Sequence, residues 1–283
     1  MKKSVYIILS IAVLTLGSCS NLTKIMKSNN INEKYKAAIK YYESGDYYRA
    51  GLLFEDLLPN MIGKPEAEQV QFYFAYCHYY QSQFELSAHY FKSFHDTYQR
   101  SNFANEALYM HAYSLYKATP EYNLDQSNTE QAIQAVQDFL NMYPTSNYVS
   151  EAEDLIKELR ENLEVKAYNI AKQYQKLRRY KAAVIACDNF QKDFPDSDYK
   201  EEITYMKVLS QYEMSKVSLR SLQKERYEEA VEYYYYFLDK YPESKYLKPA
   251  ESIYKSCQKE LASLNALQKA SKKKLQKKEK DKV

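Results

Sequence analysis

One phrase recurs along the chain: a Phe, an aromatic four residues on, a Pro, then a Ser and a second aromatic at two-residue steps. It is complete at Phe139, Tyr143, Pro144, Ser146, Tyr148; at Phe190, Phe194, Pro195, Ser197, Tyr199; and at Phe237, Tyr241, Pro242, Ser244, Tyr246. A weaker copy, Phe94, Tyr98, Ser101, Phe103, has Gln99 where the others have Pro. The copies start 45, 51 and 47 residues apart. A fixed phrase at such a period means a repeat architecture. Pro lacks an N–H and biases its predecessor away from helix, so each copy ends a helix. The Ser that follows is suited to cap the next one.

A second pattern is locked to the first. Small residues lie twelve before each Pro, at Ala132, Ala183 and Ala230, and again further back, at Ala171 before Ala183. Ala38 and Ala50 repeat that spacing, as do Ala75 and Ser87. Between them apolar residues recur at helical period, and the alternation of strands is absent. Small side chains let two helix axes approach closely. The pattern resembles the tetratricopeptide repeat, so the expected fold is all-α, an α-solenoid of five tetratricopeptide-like helix pairs with a C-terminal capping helix.

The pairs are expected at about 33–60, 68–98, 104–143, 164–194 and 203–241, with Asn32 capping the first helix. Repeats three and five carry eight extra residues, Ala112 to Ala132 and Ser210 to Ala230 each being twenty apart. The loop of repeat three falls at Thr119–Asn123. Residues 149–163 add or extend a helix, and a last helix at about 247–268 caps the stack. This divides the chain into repeats one to three (33–143), then a connecting helix, repeats four and five and the cap (144–268). The end, 269–283, has eight Lys against Glu279 and Asp281 and is expected to lack regular structure.

The first residues have the layout of a secretory leader, 1–18: Lys2 and Lys3, an apolar stretch from Val5 to Leu16, then Leu16, Gly17, Ser18 and Cys19. The apolar stretch is too short for a permanent span. The last four residues resemble the lipobox of bacterial lipoproteins, in which small residues admit the peptidase and the cysteine thiol takes the lipid. Cys19 is thus the expected lipidation site, followed by a linker, 19–32. Ser20 in place of Asp suits the outer membrane, and the lack of an acidic cluster after it suits a periplasm-facing anchor. The covalent lipid is the only non-protein group expected.

No phosphate loop, nucleophile elbow or CxxC is present. Cys77, Cys187 and Cys257 read as buried small hydrophobes, and His78, His89, His95 and His111 lack metal-ligand spacing. Outside its basic ends the chain is mildly acidic, which argues against nucleic acid. An enzyme is the least favoured class. Binding is expected on the first helices, at positions three before, one after and four after each small residue. Repeat one places Tyr35, Ile39 and Tyr42 there. Repeat two places Phe72, Tyr76 and Tyr79, with Tyr80 beside them, and repeat three Tyr109, Tyr113 and Tyr116. Repeat four offers Tyr168, Lys172 and Gln175, and repeat five Lys207, Gln211 and Met214. Aromatics thus fade after repeat three. Tyr offers rigid contact area with a polar tip, suited to peptide. The outer-face run Tyr233–Tyr236 serves packing or a partner equally well.

Lipobox, five repeats and length together resemble the BamD family of β-barrel-assembly lipoproteins over residues 16 to 250. The most specific stretch is Leu163–Glu164, Ala171, Tyr174, Tyr180, Ala182–Ala183 and Phe194–Ser197, and residues 123–129 also look familial. The resemblance implies a non-enzymatic scaffold that assists folding and insertion of outer-membrane proteins. Its implied partners are a BamA-like outer-membrane barrel protein, met by the C-terminal half, and unfolded outer-membrane proteins, received by the N-terminal repeats. A family Arg implicated in the barrel contact is Ala186 here, and the basic tail exceeds the family pattern. The competing reading is another periplasmic tetratricopeptide lipoprotein, coordinating cell-envelope or peptidoglycan processes. That class would carry a coiled coil or long linker before the repeats. A glycan-binding relative would be longer and contain Trp.

Overall fold

A computed structural model of the protein describes residues 22–280; the leader and Cys19 lie outside the described residues. After a short helical stretch at 22–26 come eleven α-helices, and the described residues contain no strand. Five hairpins account for ten of them: α1 (Ile31–Glu43) with α2 (Tyr47–Leu57), α3 (Ala67–Tyr80) with α4 (Phe84–Thr97), α5 (Ala104–Lys117) with α6 (Ser127–Met142), α7 (Val149–Lys176) with α8 (Tyr180–Asp193), and α9 (Lys200–Lys216) with α10 (Arg220–Lys240). The last, α11, spans Leu247–Lys280. Contacts divide the chain into two compact units, one through Arg160 and one from Glu161, with the division inside α7.

The small residues explain the hairpins. Ala38, Ala50, Ala75, Ser87, Ala112, Ala132, Ala171, Ala183, Ser210 and Ala230 are all buried. In unit one, a cluster on Leu53, Phe54, Val70 and Phe74 joins the first hairpin to α3. A second, on Phe91, Phe94, Val136, Phe139 and Leu159, continues to the start of α7. In unit two, Ala171, Cys187, Phe190 and Ile203 hold α7, α8 and α9 together, and Val208, Tyr227, Phe237, Ile253 and Leu264 hold α9, α10 and α11. The Phe that opens each recurring phrase is the buried anchor of its second helix.

The rest of the phrase builds one junction four times. The helices end at Tyr98, Tyr143, Phe194 and Tyr241 with φ from −121° to −136° and ψ from 52° to 65°. In each, the backbone N–H reaches the carbonyl of the phrase's Phe. Tyr98 precedes Gln99 and makes the same ending, so Pro favours this conformation without being required for it. The Ser does not cap the next helix. Its Oγ accepts the N–H two residues on, from Phe103 at 3.1 Å, Tyr148 at 3.2 Å, and Tyr199 and Tyr246 at 2.9 Å. The expected cap is displaced because the helix begins only three residues after the Ser, and the N-cap positions of α5 and α9 are Phe103 and Tyr199, with no side-chain cap.

The Ser hydroxyl also donates backward to the preceding first helix. Ser146 reaches Asn105 at 2.8 Å, and Ser197 and Ser244 reach Glu164 and Glu201 at 2.5 Å. Four residues beyond that acceptor, one helical turn, an aromatic stacks on the last ring of the phrase. Tyr109 meets Tyr148 at 4.3 Å, Tyr168 meets Tyr199 at 4.4 Å, and Tyr205 meets Tyr246 at 4.9 Å. Phe72 and Phe103 form the same pair at 4.6 Å. Each first helix is thus tied to the chain entering the next hairpin by a stack and, in three of four, a hydrogen bond.

These ties correct the register of repeat five. Counting from Glu201 and Tyr205, the small slot falls on buried Val208, two residues before Ser210. Other boundaries also differ. The first helix starts at Ile31 and is capped by Asn30, whose Oδ1 accepts from Asn32 and Glu33. Residues 149–163 are the first half of α7. The linker is partly ordered: Leu22, Ile25 and Met26 pack on the first cluster. The extra residues of repeat three form the loop 118–126, whereas those of repeat five lengthen α9 and α10. The basic end continues α11 as helix to Lys280, where no regular structure was expected.

Ser197→Ala removes both bonds of one junction and is expected to lower the unfolding free energy by about 1–2 kcal/mol in urea titration. Ser150→Ala, on an exposed position of α7, should stay within about 0.5 kcal/mol. Pro195→Ala should cost no more than about 1 kcal/mol, through the unfolded chain. A larger loss from Pro195→Ala than from Ser197→Ala would place the determinant of the junction in the proline.

Candidate functional site

The first-helix positions singled out by spacing divide into two sets. Phe72 and Tyr109 are buried under Phe103 and Tyr148 and serve the junctions. They are framework, and a ligand reaches them only by displacing the next hairpin's entry. Tyr35, Tyr42, Tyr76, Tyr79, Tyr113 and Tyr116 are half-buried, and Tyr80 is 48% exposed.

In unit one the rings form a continuous row. Tyr47 stacks on Tyr80 at 4.2 Å, Tyr80 on Tyr76 at 5.7 Å, and Tyr76 meets Tyr79 edge-on at 6.4 Å. Tyr79 then meets Tyr113 at 6.0 Å, which meets Tyr116 at 5.8 Å. Tyr42 lies on Tyr73 at 4.4 Å with nearly parallel planes. The hydroxyls are tied as well. Tyr35 donates to Gln69 at 2.5 Å and Tyr76 donates to Glu106, while Tyr116 is hydrogen-bonded to Glu158. Such rings have little rotamer freedom left to lose when a ligand lands on them.

Burial raises the pKa of these phenols. Tyr79, Tyr109 and Tyr116 are pushed up to about 12, by burial first and then by neighbouring phenols and carboxylates. Tyr42 and Tyr76 are pushed well above the ordinary range, Tyr76 by burial and by its bond to Glu106. Every one is neutral at physiological pH. The row offers ring faces and edges, with the hydroxyls of Tyr76 and Tyr116 held by carboxylates, and no group poised for proton transfer or nucleophilic attack.

Tyr47, Tyr73 and the carboxylates Glu106 and Glu158 belong to this surface although the spacing rule omitted them. The rule considered one first helix at a time. Tyr47 comes from a second helix, and each carboxylate comes from the first helix of the hairpin after the tyrosine it holds.

In unit two, Tyr168 stacks on Tyr199 and donates to Glu202 at 2.8 Å, and Lys172 donates to its oxygen at 3.0 Å. Gln175 is half-buried. For repeat five the corrected register puts Tyr205, Leu209 and Tyr212 on the first-helix face, all half-buried. Lys207 instead bonds Asp188 of α8 at 2.5 Å and lies 3.9 Å over the Tyr233 ring of α10. Gln211 is buried against Arg226 and Glu229 of α10. Aromatics therefore persist in repeat five, contrary to the expected fading. In the run Tyr233–Tyr236, Tyr234 is buried, Tyr233 is half-buried, and Tyr235 and Tyr236 are exposed.

Chemistry is otherwise sparse among the described residues. Cys77, Cys187 and Cys257 are free and buried, and burial pushes each thiol up to about 12. His78 is stacked on Tyr90 at 4.9 Å and bonded to Gln83. Among the described residues no group of three His, Cys, Asp or Glu side chains could hold a metal ion, and no helix is long and apolar enough to cross a membrane. A cleft of about 620 Å³ between α4 and α6 has His111 on its floor. That ring bonds the Ala88 carbonyl at 2.8 Å, and burial lowers its pKa.

A family model described as "YfiO: Outer membrane lipoprotein" matches residues 27–203 and 180–270, so that the two matches together run through both units. No curated protein matches the sequence. A solved structure, the "TPR2AB-domain:pHSP90-complex of yeast Sti1", aligns at 11% identity over 81% of this chain and 98% of that one, with a TM-score of 0.37. A score so low carries no argument about fold or function, and the helix pairing above stands on its own packing.

The phenols give a pH dependence with a definite sign. A tyrosine whose pKa is raised on folding stabilises fully below its unfolded value of about 10, and that stability is lost as pH rises through the folded value. For Tyr79, Tyr109 and Tyr116 the window runs from about 10 to about 12. Ultraviolet titration should show a class of phenols that ionises only as helicity falls above pH of about 10. Ionisation of all tyrosines together near pH 10, with helicity intact, would contradict the locked row.

Proposed function

The chain belongs to the YfiO family of outer membrane lipoproteins, and on that footing we propose that it is a non-enzymatic scaffold which binds polypeptide on the aromatic surface of unit one. The clients are unfolded outer-membrane proteins, and the standing partner is a BamA-like outer-membrane barrel protein. The proposed role is to assist folding and insertion as part of a β-barrel assembly machine. The observation that carries this reading is the row from Tyr47 through Tyr80, Tyr76, Tyr79 and Tyr113 to Tyr116, fixed by stacking and by hydroxyl bonds.

Its chemistry fits the client class. A membrane β-strand alternates apolar and polar side chains and carries aromatic residues at the interfaces. Neutral phenols bind aromatic and aliphatic side chains by contact area and meet backbone amides through their hydroxyls, without demanding one sequence.

Family membership associates the chain with the outer membrane. A covalent lipid on Cys19, and a stack facing the periplasm, complete the proposal. The linker between lipid and fold is short, since Leu22 already packs on the first cluster. Unit two is the proposed dock for the barrel partner. The family arginine cannot supply that contact, because Ala186 is half-buried against the cluster of Cys187 and Phe190. Docking there rests on shape and other charges.

Affinity capture of the chain in mild detergent is expected to recover a barrel protein with periplasmic domains. Recovery of peptidoglycan synthases instead would favour the competing envelope-coordination role. Cys19→Ala should move the protein out of the outer-membrane fraction. Persistence of lipid labelling in that variant would sink the anchor assignment.

A further inference from the structure

One end of unit two is basic and apolar at once. The α7–α8 turn reads Lys176, Leu177, Arg178, Arg179, Tyr180, Lys181, and no acidic residue occurs between Glu164 and Asp188. The α9–α10 turn reads Lys216, Val217, Ser218, Leu219, Arg220, Ser221, Leu222, with Lys216 paired to Glu213 at 2.9 Å and no acid from there to Glu225. The two turns lie at one end of unit two, since α8 begins at Tyr180 and α9, packed on it and joined through 194–199, runs back to end at Lys216. Leu177, Val217 and Leu219 are 60%, 72% and 74% exposed. Toward the same end α11 leaves its packing after Leu264, which lies in the cluster with Tyr227 and Val208, and continues as helix into the Lys-rich stretch.

Arg178 has φ +57°, a left-handed conformation that favours glycine. The same slot in the first hairpin is Gly45, at φ +79°, with the same pair of backbone bonds to the helix before it. Ser82 fills the slot in the second hairpin at φ +60°, so a side chain is tolerated there, and at Arg178 that side chain is an exposed cation beside Leu177.

We propose that this end of unit two is a membrane-contact surface: the turns of repeats four and five seat Leu177, Val217 and Leu219 at the headgroup boundary of an anionic bilayer, with the flanking Arg and Lys on lipid phosphates. Exposed aliphatics flanked by Arg178, Arg179 and Arg220, with Glu213 neutralising Lys216 alone, are what an anionic interface recognises. An acidic protein surface is the competing occupant. A bilayer takes up both aliphatics and cations, and the family places the chain at one. The surface is separate from the aromatic row of unit one.

The sequence contains no Trp, so Leu219→Trp creates a single reporter. It is placed in the chain from Ser20 onward, which contains every described residue and lacks Cys19, so the outcome is independent of the lipid anchor. With phosphatidylglycerol vesicles its emission should shift to the blue and be quenched by brominated acyl chains, with high salt reversing both. Pure phosphatidylcholine should produce neither. Arg178→Gly with Arg179→Gln should weaken partitioning at least about fivefold for each charge removed. The thermal midpoint should not fall, since glycine suits that backbone. The proposal is overturned by no response to anionic vesicles, as an acidic-protein site would give, by equal response to neutral vesicles, or by undiminished binding by the arginine variant. Binding lost only on deleting residues 269–283 would assign contact to the tail and equally overturn the role of the turns.

Discussion

The stack rests on a contact between the chain that leaves one hairpin and the helix that began it. A ring at the end of each phrase lies flat on a ring of the preceding first helix, and in three copies a Ser hydroxyl beside it reaches an Asn or Glu one turn earlier on that helix. Stacking fixes the separation of the surfaces, and the hydrogen bond fixes rotation about the stack. Together they set how each hairpin enters on the one before, within each unit. The buried Phe of the phrase and the Ala crossings hold hairpins closed, but such apolar contacts are non-directional and do not select one entry angle.

Much of this was legible in the chain. The period, the Ala crossings and the helix-ending aromatics name the hairpins, because close helix crossing and helix termination both leave local signatures. What escaped was set by contacts distant in sequence. Ser197 looks like a cap until Glu164, thirty-three residues earlier, is brought under it. In repeat five, size points to Ser210, the smaller of two buried residues, although the crossing falls on Val208. The stack of Tyr205 on Tyr246 and the bond from Ser244 to Glu201 fix the register. Lys207 and Gln211 then turn toward α8 and α10, and Tyr205 and Tyr212 take their places.

The candidate surface was half legible for the same reason. Spacing found the tyrosines that share a face, but it could not separate framework rings such as Phe72 and Tyr109 from those left at the surface. It also could not supply the partners that immobilise them. Glu106, which holds Tyr76, and Glu158, bonded to Tyr116, lie on the first helices of the following hairpins. Tyrosine in this chain therefore does two jobs. Buried in the junctions it positions hairpins, and along the row of unit one it presents a rigid, neutral, amphipathic face. Unit two uses its exposed turns differently, gathering cations and aliphatics where unit one gathers phenols.

The most direct test of the peptide-binding claim is a titration of the mature chain with a fluorescent peptide ending in the aromatic-terminated last strand of an outer-membrane barrel protein. Saturable binding is predicted, together with loss of at least about tenfold in affinity, about 1.4 kcal/mol, in Tyr80→Ser, whose side chain is the most exposed of the row and can be removed without opening the core. Unchanged affinity in that variant, with binding lost instead on substituting exposed Tyr235 and Tyr236 of α10, would move the peptide site off the aromatic row altogether.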